Sequence, residues 1–421
     1  MKYTKKNLKN GLRIISVPMK DSQTAIAMVL VEAGSDYEDK NNNGISHFLE
    51  HMCFKGTHNR TGDEIKYELD SLGSESNAFT GNEYTGYYAK ANYKKLDQII
   101  DLISDIYLNP TFPEKDIDIE KGVIFEEINM YEDLPQRKVW DIWMKLLYGE
   151  QSAGRTILGP KENIKRIQQK DFKEYFQKHY VPNKTVVVIA GKINEEKIYK
   201  LICDKFDLLK KTKITKKLKT IDDQNKAQIK IFDKKTDQTH LILGFRAFDL
   251  YSKKNKILNL ASIILGQGFS SRLFTKMRDE LGMCYYTRAT VDNFTDHGYF
   301  AVSSGVGNGR FKEAISVIMD EFRRLRDLEI SEKELQKAKD FALGKLATGL
   351  ETSDDWAMFY GAQELHHEKI ENPDDIIEKI NKITVKDIQM VLKEIFVLEK
   401  LNLAVVGPQI IDSELKKLLV I

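Results

Sequence analysis

The sequence predicts an α+β fold built twice, each copy a mostly antiparallel sheet packed with helices. Three observations carry this expectation: a length of 421 residues, beyond what one core of ordinary size accommodates; the same order of strand and helix patterns in each half; and a lysine-rich stretch between them with few large apolar residues. The first half reads as strands near Arg13 to Val17 and Thr24 to Glu32, a helix around His47, and a helix from Asp63 to Leu72. Strands then follow near Ser76 to Thr80 and Tyr84 to Asn92, with helices starting at Tyr93 and Glu114. The second half repeats the order. Strands near Gln228 to Asp233 and His240 to Phe245 precede helices at Lys254 to Leu265 and Ser270 to Glu280, strands at Met283 to Val291 and Gly298 to Ser304, and helices from Phe311 and Ser331. Local echoes are visible, Tyr84-Thr-Gly-Tyr-Tyr-Ala against His297-Gly-Tyr-Phe-Ala and Phe112-Pro-Glu-Lys against Ile330-Ser-Glu-Lys. The order reads as a duplication. The lysines of Leu209 to Lys219, followed by Asp222-Asp-Gln-Asn225, read as a linker, so the expected division is 1–209, a linker over 210–226, and 227–421.

Charge narrows the class of partner. Sixty-five basic against 63 acidic residues leave a net charge of +2, which gives no electrostatic case for nucleic acid or an anionic membrane surface. Behind the charged start from Met1 to Gly11 there is no apolar core of a signal peptide, and the apolar run Ala25 to Val31 is too short to span a bilayer. Cys53, Cys203 and Cys284 lack framework spacing, which fits a reducing compartment, and a cytoplasmic location is expected. Cys53 points to a different helix face from His51 and reads as a small buried hydrophobe.

The segment His47-Phe48-Leu49-Glu50-His51 concentrates the chemistry. Two imidazoles at i and i+4 share a helix face and can reach one zinc ion, while Glu50 stays on the same side as a general base. Two histidines leave a protein ligand wanting. The helix from Glu120 sets Glu120 and Glu127 seven residues, about two turns, apart on one face, and either carboxylate could complete the set, leaving the fourth position open for water as in a catalytic site. The equivalent place in the second half reads Leu265-Gly-Gln-Gly-Phe269, with no ligand chemistry, so one zinc per chain is expected. Gly305-Val-Gly-Asn-Gly309 is not followed by Gly-Lys-Ser/Thr and reads as a plain turn. His58, His179, His240, His297, His366 and His367 lack ligand spacing and are expected to be solvated or hydrogen-bonded.

His47-Phe-Leu-Glu-His51-Met-Cys-Phe-Lys-Gly-Thr57, the Asn77-Ala-Phe-Thr80 strand, and Glu120 through Asp133 closely resemble the inverted-zincin peptidases of the pitrilysin and insulysin family, nearest the branch of mitochondrial processing peptidase and its bacterial relatives. The resemblance runs over essentially the whole chain. It implies a clamshell of two homologous domains, with zinc bound in the first and not in the second, and zinc-dependent hydrolysis of peptide bonds in short or unfolded polypeptides.

Residue by residue, the resemblance implies Glu127 as third ligand beside His47 and His51, Glu120 as the carboxylate behind them, and Glu50 as proton shuttle. It also implies that Arg278 and Tyr285, matching the family's Arg-x6-Tyr, hold the substrate carbonyl and the developing oxyanion. Without the resemblance, Arg278 is a helical surface arginine and Tyr285 a strand tyrosine. Asn77, Ala78, Phe79 and Thr80 resemble the strand on which substrates lie as an added antiparallel strand, and Gly154 to Gly159 matches a loop near the site. Processing-type relatives that prefer arginine near the cut carry two acids where this chain has Arg137 and Asp141, so a weaker or different preference is expected. A two-domain chain carrying both sets implies a homodimer with sites completed in trans. The rival reading is a non-catalytic subunit that holds polypeptide, as some family members are.

Overall fold

In the computed structural model, which describes residues 1–207, 209–328, 330–366, 369–410 and 412–421, the duplication takes the form of two sheets with one topology. The first holds β1 (Thr4–Asn7), β2 (Arg13–Pro18), β3 (Thr24–Val31), β4 (Glu75–Thr80), β5 (Thr85–Asn92) and β6 (Thr185–Gly191), in the order β1-β2-β6-β3-β5-β4. The second holds β7 (Gln228–Asp233), β8 (Gln238–Arg246), β9 (Cys284–Asn293), β10 (Gly298–Gly307) and β11 (Leu401–Gly407), in the order β7-β11-β8-β10-β9. With β1 set aside the orders coincide. β2 runs parallel to β6 as β7 does to β11, and every other neighbouring pair is antiparallel.

Besides the short edge strand β1, the interior strands β6 and β11 are the ones the sequence pattern does not mark. Each is buried at all seven positions, so neither shows the alternation that marks a half-exposed strand. Their side chains still alternate between two cores. Val187 and Ile189 of β6 enter one cluster while Val186, Val188 and Ala190 enter another; Leu401, Leu403 and Val405 of β11 likewise separate from Ala404 and Val406.

The second face of each sheet is covered by a helix from the other half of the sequence. Trp356, Ala357, Tyr360 and Leu365 of the helix Ser353–His366 pack on β2, β3 and β6, and Val139, Ile142, Trp143 and Leu147 of the helix Pro135–Tyr148 pack on β8 and β11. Packing therefore divides the chain differently from the contiguous 1–209 and 227–421 split. One compact unit comprises 1–128, 155–218 and 349–370, and the other 129–154, 219–348 and 371–421. No helix among the described residues is long and apolar enough to cross a membrane.

Candidate metal centre

The helix Ile45–Cys53 presents its polar groups on one face because the other is committed to the core. Ile45, Phe48, Leu49 and Met52, spaced i, i+3, i+4 and i+7, are buried, which turns His47, Glu50 and His51 to the opposite side. The helix Glu114–Asp133 buries Ile117, Ile124 and Ile128 in the same core and brings two acids alongside. Glu127 Oε2 stands 3.5 Å from His47 Nε2 and 3.9 Å from His51 Nε2.

The three ligand atoms lie within 4.8 Å of one another, and among the described residues no other group of three His, Cys, Asp or Glu side chains could hold a metal ion. Ligand atoms about 2 Å from a common centre stand roughly 3.3 Å apart in a tetrahedron, so this donor set fits zinc. Burial and the neighbouring His51 push the His47 imidazole down to about 3, which keeps it neutral and able to coordinate. Its Nδ1 is buried without a hydrogen-bond partner.

His51 is held from behind. Burial works against its charge, but the hydrogen bond between Nδ1 and Glu120 Oε1 at 2.8 Å, with the charges of Glu50 and Glu120, carries the imidazole upward on balance. Burial likewise opposes ionisation of Glu120, yet His51 and the Lys55 ammonium bonded to its Oε2 hold that carboxyl below the usual range. Lys55 went unremarked in the sequence, although it sits four residues after His51. Burial raises both Glu127 and Glu50.

Glu50 Oε2 accepts a 2.6 Å hydrogen bond from Thr80 Oγ1. Thr80, expected only as part of a substrate strand, thus orients the candidate base. Asn77, Ala78, Phe79 and Thr80 lie on β4, the outermost strand of its sheet, paired with β5 alone. The Phe79 ring occupies the space over Gly86, where a Cβ would come within 2.4 Å of it.

Arg278 and Tyr285 belong to the second unit and sit against each other there. Arg278 lies in a π-helical turn, Phe274–Glu280, with its guanidinium 4.9 Å from the Phe274 ring centre and 5.8 Å from that of Tyr285, which is 80% exposed. Arg137 stacks over Tyr131, and burial pushes the Asp141 carboxyl up to about 6.

Cys53 is buried against Tyr87, as a small hydrophobe should be. His240 bonds to Tyr286 and His297 to Asp296, and His58 is exposed. His179 departs from expectation: it is buried with neither ring nitrogen hydrogen-bonded. His367 lies outside the described residues.

Residues 13–161 match the family model for "Insulinase (Peptidase family M16)" and residues 166–341 that for "Peptidase M16 inactive domain". The uncharacterized zinc protease YmxG of Bacillus subtilis (strain 168) is 31% identical over 399 residues, covering 95% of this chain and 97% of the relative. An uncharacterized zinc protease of Mycobacterium leprae (strain TN) is 29% identical over 404 residues, covering 95% of this chain and 91% of its own length. A protease from Helicobacter pylori of known crystal structure shares the fold with a TM-score of 0.90 at 24% identity, over 97% of this chain and 99% of that one.

Proposed function

The chain belongs to the insulinase family of peptidases, family M16, and from that premise we propose that it is a zinc-dependent endopeptidase acting on short or unfolded polypeptides. The observation that carries this reading is the convergence of His47, His51 and Glu127 beside Glu50. His47 and His51 through Nε2, with Glu127 through a carboxylate oxygen, would hold one zinc per chain. When bound, the ion supplies Lewis acidity toward the scissile carbonyl and makes water a stronger acid.

Glu50, with its carboxyl raised by burial, takes the proton of the attacking water and returns it to the leaving amine. Thr80 fixes the rotamer in which it does so. Glu120 orients His51 through Nδ1, and the ion pair with Lys55 keeps that carboxylate in place. The open edge of β4 offers backbone groups to an extended substrate, an affinity largely indifferent to sequence. Arg278 and Tyr285 donate to the developing oxyanion. With Arg137 where arginine-preferring relatives carry an acid, cleavage sites are not dominated by arginine, and a peptide-library profile tests this.

The protein works in the cytoplasm as a homodimer with sites completed in trans. Mixing Glu50→Gln with Arg278→Ala subunits, each inactive alone, then restores part of the activity; none recovered after subunit exchange argues against shared sites. The reaction itself is tested by metal content and peptide hydrolysis of wild type and Glu50→Gln, with and without a chelator. Chelator-insensitive turnover, or none from metal-loaded wild type, overturns the reading.

A further inference from the structure

Nine residues ahead of His47, Glu38 is 3% exposed and spends its carboxylate on the start of the metal-binding helix. Oε2 accepts from the Gly44 backbone N–H at 2.8 Å and from Asn43 Nδ2 at 2.7 Å; Oε1 accepts from the Ser46 N–H at 2.8 Å. Gly44 and Ser46 are among the first N–H groups of a helix, which have no intrahelical acceptor, and a carboxylate there also meets the positive end of the helix dipole. Gly44 itself caps the helix at φ 102° with no side-chain hydrogen bond, so Glu38 supplies from a distance what an Asp or Ser cap supplies locally.

The same group ties in a second segment. Asn43 Nδ2 also donates to Thr156 O at 2.9 Å, and Arg155 Nη1 donates to Glu38 O at 3.0 Å, so the stretch after Gly154 is bonded to both ends of the Glu38 turn. Space there is closed as well. A Cβ on Gly44 would lie 2.6 Å from Leu158 O, and one on Gly159 2.2 Å from Asn43 O. The helix start is thus clamped on one side by packed backbone and on the other by one buried carboxyl group, which burial pushes up to about 7 against the pull of these hydrogen bonds, immediately before His47.

We propose that Glu38 is a positioning residue of the metal centre: its carboxylate locks the first turn of Ile45–Cys53 so that His47 and His51 meet Glu127 without rearrangement. This inference rests on the metallopeptidase reading above for its consequence, though not for its geometry. Gln in place of Glu38 keeps the shape but turns one acceptor oxygen into an amide donor. That donor must face either the Ser46 N–H or the Gly44 and Asn43 donors, leaving buried N–H groups unpaired.

The test uses the full-length protein in two arms. Amide hydrogen exchange across Gly44 to Phe48 in metal-free protein is expected to quicken about tenfold in Glu38→Gln, and competition titration with zinc should show Kd weakened about tenfold or more. In peptide hydrolysis kcat falls while KM stays within about twofold. Should Glu38→Gln fail to fold, Asn43→Ala, which removes the Asn43 bonds alone, is expected to move exchange and zinc affinity in the same direction by roughly threefold. Wild-type exchange and wild-type zinc affinity in a folded Glu38→Gln variant overturn the proposal. Wild-type protein that takes up no zinc sinks the metallopeptidase reading instead, and exchange alone then decides for Glu38.

Discussion

The helix Ile45–Cys53 in the first repeat and Asn255–Gly266 in the second occupy equivalent places after equivalent strand pairs; both bury an apolar face, but they differ in the polar groups they carry. The second is apolar and buried through Leu260, Ala261, Ile263, Ile264 and Leu265, and its one buried hydroxyl, Ser262, bonds back to Asn259 O. The first has among its surroundings His47 with an unpartnered Nδ1, the raised acid Glu50, and farther off Glu38 and His179. Buried polar groups destabilise unless every bond is met. The contrast teaches that a helix at this place in the topology does not need them: Asn255–Gly266 packs on apolar side chains where Ile45–Cys53 carries His47, Glu50 and His51.

The comparison breaks most sharply at Glu50. Glu50→Gln should keep zinc and lower kcat by about 10²–10⁴, the range of general acid–base catalysis; a modest loss would mean the polar helix face is no more catalytic than its apolar counterpart. Next comes the second unit, whose fully buried Trp143 fills the core under β8 and β11. Trp143→Ala should cost about 3–5 kcal/mol in denaturant unfolding while zinc Kd stays within about twofold, separating packing from chemistry.

A smaller effect is expected at Glu120. Its replacement by Gln should weaken zinc binding by about 10–100-fold without abolishing it, measured by competition with a chromophoric chelator.

The smallest is a gain. Burial pushes His179 down to about 3 from 6.5. A lowered base of this kind contributes stability above the unfolded value of 6.5 that is lost as pH falls toward 3, because the unfolded chain then binds a proton the folded imidazole refuses. His179→Phe should therefore stabilise the protein by about 1–2 kcal/mol near pH 5, with little gain at pH 8. An equal gain at both would place the cost in the unpartnered nitrogens rather than in the proton.

What could be read in advance follows the range of each signal. His47, Glu50 and His51 announce themselves because one helical turn joins them, and Glu120 and Glu127 because two turns do. Strands such as β3 and β5 were visible, whereas β6 and β11, covered on both faces, offered no alternation. Thr80 was placed on the right strand, but its bond to Glu50 was out of view because it spans thirty residues of chain. Glu38 gave no sign at all, because a cap acting from outside the helix matches no short spacing. The linker was sought where composition changes, and composition does not register that two helices change sheets.

That exchange of helices fixes an order of events during synthesis. The first sheet has all its strands once Gly191 is made, but one apolar face stays bare until the helix Ser353–His366 leaves the ribosome, while Pro135–Tyr148 waits for strands not yet translated. Fragments severed at the lysine-rich stretch each lack a lid that the other carries. They should be insoluble apart and soluble when co-expressed, so the repeat that looks like two genes joined end to end behaves as one indivisible folding unit.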